Sequence, residues 1–211
     1  MAAAFVNIAF KHELEIAMTR SYRMRLRAER QAATRRRIVE AAAQLHRSRG
    51  LHLTSISDIA RLAGVERPTV VRHFPTRLSL IVACTLPATE QDPPPDPAAW
   101  RAIRDPEARL QRALTEQYAY YRRNRAFLAP MADTRNDEFA PVRELMRPHF
   151  ARAQAILAKG WRMPDSHRQR FELAISHAFG FWAWVSLADL GMADEDAAAL
   201  MLSMVHGIAS A

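Results

Sequence analysis

Residues 54–74 read TSISDIARLAGVERPTVVRHF, two short helical segments hinged at Gly64. Ser55 followed three residues later by Asp58 is a capping-box start, and Thr54 or Ser55 offers the side-chain oxygen that such a start needs. Ala60 is small where two crossing helices approach, and Gly64 supplies the positive φ of a sharp turn. Ile56, Ile59, Val65 and Val70 recur where they would face inward and lock the pair together. Glu66 then opens a second short helix with Pro68 in its first turn, where a missing N–H costs little. Pro75 stops it. Arg67, Thr69 and Arg72 are left on the outward face. A short, exposed, basic helix after a glycine turn is the shape required to enter a DNA major groove.

The flanks extend this pattern into an all-α chain. Upstream, a helix is expected from Thr34 to Arg49, with Ile38, Ala41, Ala42 and Leu45 as its buried stripe and Gly50 ending it. Downstream, Thr76 begins a fourth helix over Arg77–Leu86. Prolines are so dense from Leu86 to Pro97 that a loop is expected at 87–99. Beyond it, helical periodicity returns at Pro106–Phe127, Phe139–Leu157, Ser166–Leu190 and Ala197–Ile208. Asp194, Glu195 and Asp196 lie where acids favour a helix N-terminus. The expected organisation is a basic N-terminal arm at 1–33, a three-helix helix-turn-helix domain at 34–86, the proline-rich loop, and a helical domain at 100–211. The first 30 residues leave more than one reading open. Phe5, Ile8, Leu14 and Ile16 fit a short amphipathic turn or two, the segment fits an untranslated leader, and Met18 and Met24 both fit as starts.

Charge separates the two parts. Thr19–Cys84 holds 14 arginines against four acidic residues, a net +10 where the whole chain of 211 residues carries +8. A positive third joined to a nearly neutral remainder fits a polyanion-binding module on a separate body. Arginine is general in this chain, which has only Lys11 and Lys159 as lysines, but that preference does not account for the missing acids. Cys84 is the single cysteine, so no intrachain disulfide can form, and a cytoplasmic setting without membrane spans is expected. The eight histidines follow no metal-ligand spacing, and the six glycines are spread singly rather than in a phosphate-cradling loop. No enzyme, cofactor or metal site is expected. Cys84 reads as a core residue.

These residues resemble the tetracycline-repressor-like (TetR) family of regulators. The resemblance covers about Thr34 to Ile81: the basic first helix ending in Gly50, then Thr-Ser-Ile-x-Asp-Ile-Ala-x-x-Ala-Gly-Val, then Pro-Thr-Val-x-x-His-Phe, then Arg77. It implies that Thr54 and Ser55 bind a phosphate by hydroxyl and backbone N–H, and that Ser57 reaches a base or a phosphate. It further implies that Arg67, Pro68 and Thr69 meet base edges, and that His73 and Arg77 hold phosphates. Val71 stands where the family usually has a phosphate-bound Tyr, so that contact is absent or passes to Arg72. For the body, the resemblance implies a small-molecule pocket and a homodimer formed through the last two helices, here Ser166–Leu190 and Asp194–Ser210. Tyr118, Tyr121, Phe127, Met131, Phe139, Met146, Phe150, His177 and Trp182 are the candidate pocket residues. The expected function is a DNA-binding transcription regulator, a repressor released from double-stranded operator DNA by an effector. The alternative is a nonspecific or architectural DNA-binding protein without a ligand.

Overall fold

In the computed structural model, residues 2–135 and 137–210 are described. They form ten α-helices and one 3-10 turn, with no strand among them. The first helix, α1 (Ala2–Arg49), is one continuous rod, so the arm expected at 1–33 is helical and joins the expected Thr34–Arg49 helix without a break. At 1.5 Å per residue its 48 residues run about 72 Å. The side chains of Phe5, Ile8, Leu14 and Ile16 lie outside the described residues. α2 (Ile56–Ala63) and α3 (Arg67–His73) follow, then α4 (Arg77–Gln91). Ile38, Ala42, Leu51, Ile59, Val70, Leu80 and Ile81 are buried between these four helices.

α4 corrects one expectation. It continues through Pro87 to Gln91, so the loop is shorter than 87–99 and ends at α5 (Pro97–Trp100). A proline inside a helix removes one N–H and crowds the preceding turn. One proline is tolerated here on a helix packed against α1; the run Pro93-Pro94-Pro95 is not, and the chain leaves the helix before it.

The body consists of α6 (Pro106–Ala132), α7 (Ala140–Leu157), α8 (Asp165–Ala178), α9 (Phe181–Ala188) and α10 (Asp194–Ser210), with the 3-10 turn Asp137–Phe139 before α7. Asp105 caps α6 by accepting the Ala108 N–H at 2.9 Å. Arg122 of α6 makes a two-pronged contact with Asp194 at the start of α10, at 2.8 and 2.9 Å.

The single helix expected over Ser166–Leu190 is two helices. Phe179 and Gly180 interrupt it, Gly180 being extended at φ −77°, ψ 142°. A Cβ on Gly180 would lie 3.0 Å from the His177 carbonyl oxygen, so the break leaves no room for a side chain. The interruption frees carbonyls that a helix would have used, and buried carbonyls need donors. Tyr118 donates to Ala178 O at 2.6 Å and Tyr121 to Phe179 O at 2.9 Å. Burial pushes both phenols up in pKa, which keeps them protonated as donors.

Candidate nucleic-acid interface and effector cavity

The helix-turn-helix is built from short-range chemistry. Ser55 caps α2: its hydroxyl oxygen accepts the Asp58 N–H at 3.1 Å, while its own N–H donates to Asp58 Oδ2 at 3.3 Å. The Ser55 hydroxyl also donates to that carboxylate at 2.6 Å. These bonds, led by the hydroxyl, hold the Asp58 carboxyl below the usual range. Gly64 closes the helix at φ 62°, ψ 43°, the left-handed conformation that glycine adopts without penalty, and its N–H reaches Arg61 O. Val65 N–H bonds Ala60 O at 3.0 Å, which completes the turn. α3 therefore leaves at a fixed angle with Val70 buried beneath it. Ser57, Arg67, Pro68 and Arg72 are exposed, and Thr69 and His73 are half-buried.

Three of the expected phosphate-binding groups are already engaged within the protein. The Thr54 hydroxyl donates to Gly50 O at 2.9 Å, and Arg77 donates to Leu51 O at 3.0 Å. The Ser55 hydroxyl and N–H both go to Asp58. A capping carboxylate three residues into the helix competes with a phosphate for the same donors, and this corrects the simple assignment of Thr54 and Ser55 as phosphate ligands. Val71 lies at the outward side of α3, 46% exposed, with no polar atom to offer a phosphate.

In the body, a cavity of about 510 Å³ opens between α6, α7 and the α8–α9 break. Its wall is aromatic and apolar, with Tyr120, Tyr121, Phe150, Phe179, Phe181 and Trp182 contributing rings. Polar groups are few. Gln117 is buried, Gln154 donates to Ser176 Oγ at 3.0 Å, and Arg147 pairs with Glu144 at 2.8 Å on the open side. Such a site suits a small, largely apolar molecule with a few polar handles. Met131 and Val142 line this cavity and are also buried in the same apolar cluster as the core of α1–α4.

The sequence profile described as bacterial regulatory proteins, tetR family, matches residues 38–84. The chain belongs to the TetR family. It is a transcription regulator that carries a DNA-binding helix-turn-helix. Several solved structures share the fold of the whole chain. The regulator RolR, solved with the ligand resorcinol, is 23% identical over 87% of this chain and 96% of its own, at a TM-score of 0.53. NalD of Pseudomonas aeruginosa, the secondary repressor of the MexAB-OprM multidrug efflux pump, is 21% identical over 84% and 96%, at 0.52. A transcriptional regulator from Rhodococcus sp. Rha1 is 18% identical over 84% and 98%, at 0.55. No curated protein matches the sequence significantly.

Within this TetR-family chain, five of the nine candidate pocket residues line the cavity: Tyr121, Met131, Met146, Phe150 and Trp182. The other four do not. Tyr118 is fully buried beside the helix break, where its hydroxyl is used. Phe127 stacks on His46 at 6.5 Å, and Phe139 is buried in the cluster shared with α1–α4. His177 is exposed, because the helix ends one residue later and turns it away from the core. Gln117, Tyr120 and Phe181 were missed. Gly180 inside an apolar run was the available signal for Phe181, since it marks the break that turns this ring toward the cavity. No group of histidines, cysteines and acids that could hold a metal occurs among the described residues, and no described helix is long and apolar enough to cross a membrane.

Proposed function

We propose that this regulator is a cytoplasmic, homodimeric repressor whose hold on operator DNA is released by a small aromatic effector bound in the α6–α7–α9 cavity. The observation that carries the DNA half is α3, supported from below by Val70 and offering Arg67, Pro68, Thr69 and Arg72 outward from a rigid turn. Arg67 suits guanine O6 and N7, Thr69 or Pro68 suits a thymine methyl, and Ser57, Arg72 and His73 suit the flanking phosphates. Thr54, Ser55 and Arg77 act mainly by fixing α2 and α4 in place. The dimer reading is supported by apolar residues left on the outside of the last helices: Leu173 is 63% exposed, Met204 54% and Leu200 40%, the latter two one turn apart on α10.

The effector half rests on the cavity and on the residues that it shares with the DNA-binding core. Occupancy that repacks Met131 and Val142 would favour one setting of α1 and α4 over another and change the spacing of the two recognition helices. The ring-rich wall and the resorcinol bound by RolR make phenolic compounds the first effectors to try.

Selection from a random duplex pool, followed by gel shifts, tests the reading. The expected result is a two-fold-symmetric preferred sequence bound at least 10³-fold more tightly than a scrambled one, the usual lower range for specific binders. Titration with resorcinol and related small aromatics should then weaken that complex. Equal affinity for selected and scrambled duplex would instead mark an architectural DNA-binding protein.

A further inference from the structure

The function proposed above leaves the first 15 described side chains of α1 without a role, although they carry a dense positive charge. α1 has a direction. Its C-terminal end lies on the body: His46 stacks on Phe127, and a Cβ on Gly50 would come within 3.2 Å of the Ala126 carbonyl oxygen. Twelve to fifteen residues earlier the same helix is beside the helix-turn-helix. The Arg35 guanidinium is 4.8 Å from the centre of the Phe74 ring at the end of α3, and Arg37 Nη1 approaches Gly64 in the turn. Residues 22–34 therefore continue past the recognition helix and away from the body, into the space where a duplex held by α3 lies.

The charge on this projection is arranged by face. Arg23, Arg27 and Arg30 follow one another at steps of four and three, and the same row continues through Thr34 into Ile38, Ala41 and Leu45. Those last three are buried against the helix-turn-helix core. Residues three and four apart share a helix face, so the three arginines occupy the side of α1 that turns toward the DNA-binding domain. All three are exposed, and none forms an ion pair among the described residues. Arg25 differs: it is off this row and pairs with Glu29 at 3.5 Å. From Arg23 to Arg37 the helix advances about 21 Å, about two-thirds of a turn of duplex.

We propose that Arg23, Arg27 and Arg30 form a phosphate-binding stripe that extends DNA contact beyond the helix-turn-helix onto the duplex flanking each half-site. This inference rests on the reading that α3 enters the groove. The stripe adds affinity without base discrimination, because arginine on phosphate carries no sequence information.

The test compares the full-length protein with the triple variant R23Q/R27Q/R30Q and with R101Q/R104Q/R162Q, which removes the same charge from exposed positions of the body. Gln is a good helix former, so helicity measured by circular dichroism should be unchanged in both. Affinity is measured against salt concentration on the selected duplex with long flanks, on its flank-trimmed version, and on a scrambled duplex. The triple variant should flatten the log–log salt slope by about 2–3 on long duplexes, near 0.9 per lost phosphate contact, with the ratio of selected to scrambled affinity unchanged. Trimming the flanks should flatten the wild-type slope and leave that of the triple variant as it was. The body variant should keep the wild-type slope. A triple variant with the wild-type slope, or one no different from the body variant, overturns the stripe. Failure of the underlying reading has its own sign, because the wild-type protein would then not distinguish selected from scrambled duplex at all.

Discussion

Arg67 and Val71 lie one turn apart on α3, and they make opposite predictions. Arg67 is exposed at the first position of the helix, with its neighbour Pro68 also exposed and no ion pair to hold it among the described residues. Replacing it with Ala removes a fork of donors and leaves the fold alone. Arg67→Ala should lose about 1–3 kcal/mol on the preferred duplex and relax preference at one base pair per half-site, read by competition with single-base variants. Unchanged discrimination at every base pair would remove Arg67 from the list of base contacts. Val71 is the mirror case, an exposed apolar residue where the family usually places a phosphate-bound Tyr. Val71→Tyr should strengthen binding to selected and scrambled duplex alike by about 0.5–1.5 kcal/mol, the usual net worth of one hydrogen bond. Because a phenol is uncharged, the salt slope should stay where it was, which separates this gain from an added cation. Both residues were legible in the sequence because a seven-residue helix after a glycine turn has only one outward face. Thr54, Ser55 and Arg77 were legible as part of the motif but not by role. Whether a hydroxyl serves a phosphate or a neighbouring carboxylate depends on a rotamer, and a pattern of residue types does not set rotamers.

At the level of elements, the contact between α1, α4 and α6 contains a buried titratable pair. His46 Nδ1 lies 3.3 Å from Cys84 Sγ, and the thiol sits against Ile81 O at 3.2 Å. Burial, assisted by the charge of Arg77, lowers the His46 pKa to about 4, and burial raises that of Cys84 to about 12. Imidazole and thiol are thus both neutral in the folded state. The unfolded chain takes up a proton on His46 near pH 6.5, and the native one does so only near 4. The stability from this site is complete above pH 6.5 and is lost as the pH falls from there to about 4. At 1.36 kcal/mol per unit the full loss is about 3 kcal/mol, with about 2 of it gone by pH 5. Denaturant unfolding at pH 7.5 and 5 should show that difference for the wild type and little of it for His46→Phe, whose ring keeps the stack on Phe127. Parallel losses in the two proteins would place the acid sensitivity elsewhere. The sequence identified Cys84 as core but gave His46 no partner, since the two are 38 residues apart and meet only through the crossing of α1 and α4. The missed break at Phe179–Gly180 has a similar cause. An apolar run reads as one helix by periodicity, and what stabilises the interruption is two tyrosine hydroxyls, about 60 residues upstream, meeting its carbonyls.

Across the whole molecule, the cavity and the DNA-binding domain are joined by shared packing rather than by a linker. Val142 is 2% exposed, lines the cavity, and belongs to the apolar cluster that includes Ile38, Val70 and Ile81. Met131 does the same from α6. Close-packed interiors transmit displacement because they have few voids to absorb it. An effector that pushes on Val142 therefore pushes on the core that sets the angle of α1 and α4, and through them α3. Val142→Ala removes two methyl groups at that junction, and a void there would absorb part of the displacement. The expected result is operator affinity close to wild type without effector, since no DNA-facing residue changes. The effector-induced loss of affinity should shrink by about 0.5–2 kcal/mol, roughly 2- to 30-fold. By reciprocity, operator DNA should then reduce effector affinity by the same smaller factor, so calorimetric titration with and without duplex checks the number independently. Trp182→Ala supplies the contrast: it lines the cavity too, but its indole N–H bonds Ala132 O and its ring is 48% exposed, outside the shared cluster. That substitution should weaken effector binding with and without DNA to the same extent and leave the coupling intact. If instead the two variants alter coupling alike, the signal does not travel through the Val142 junction.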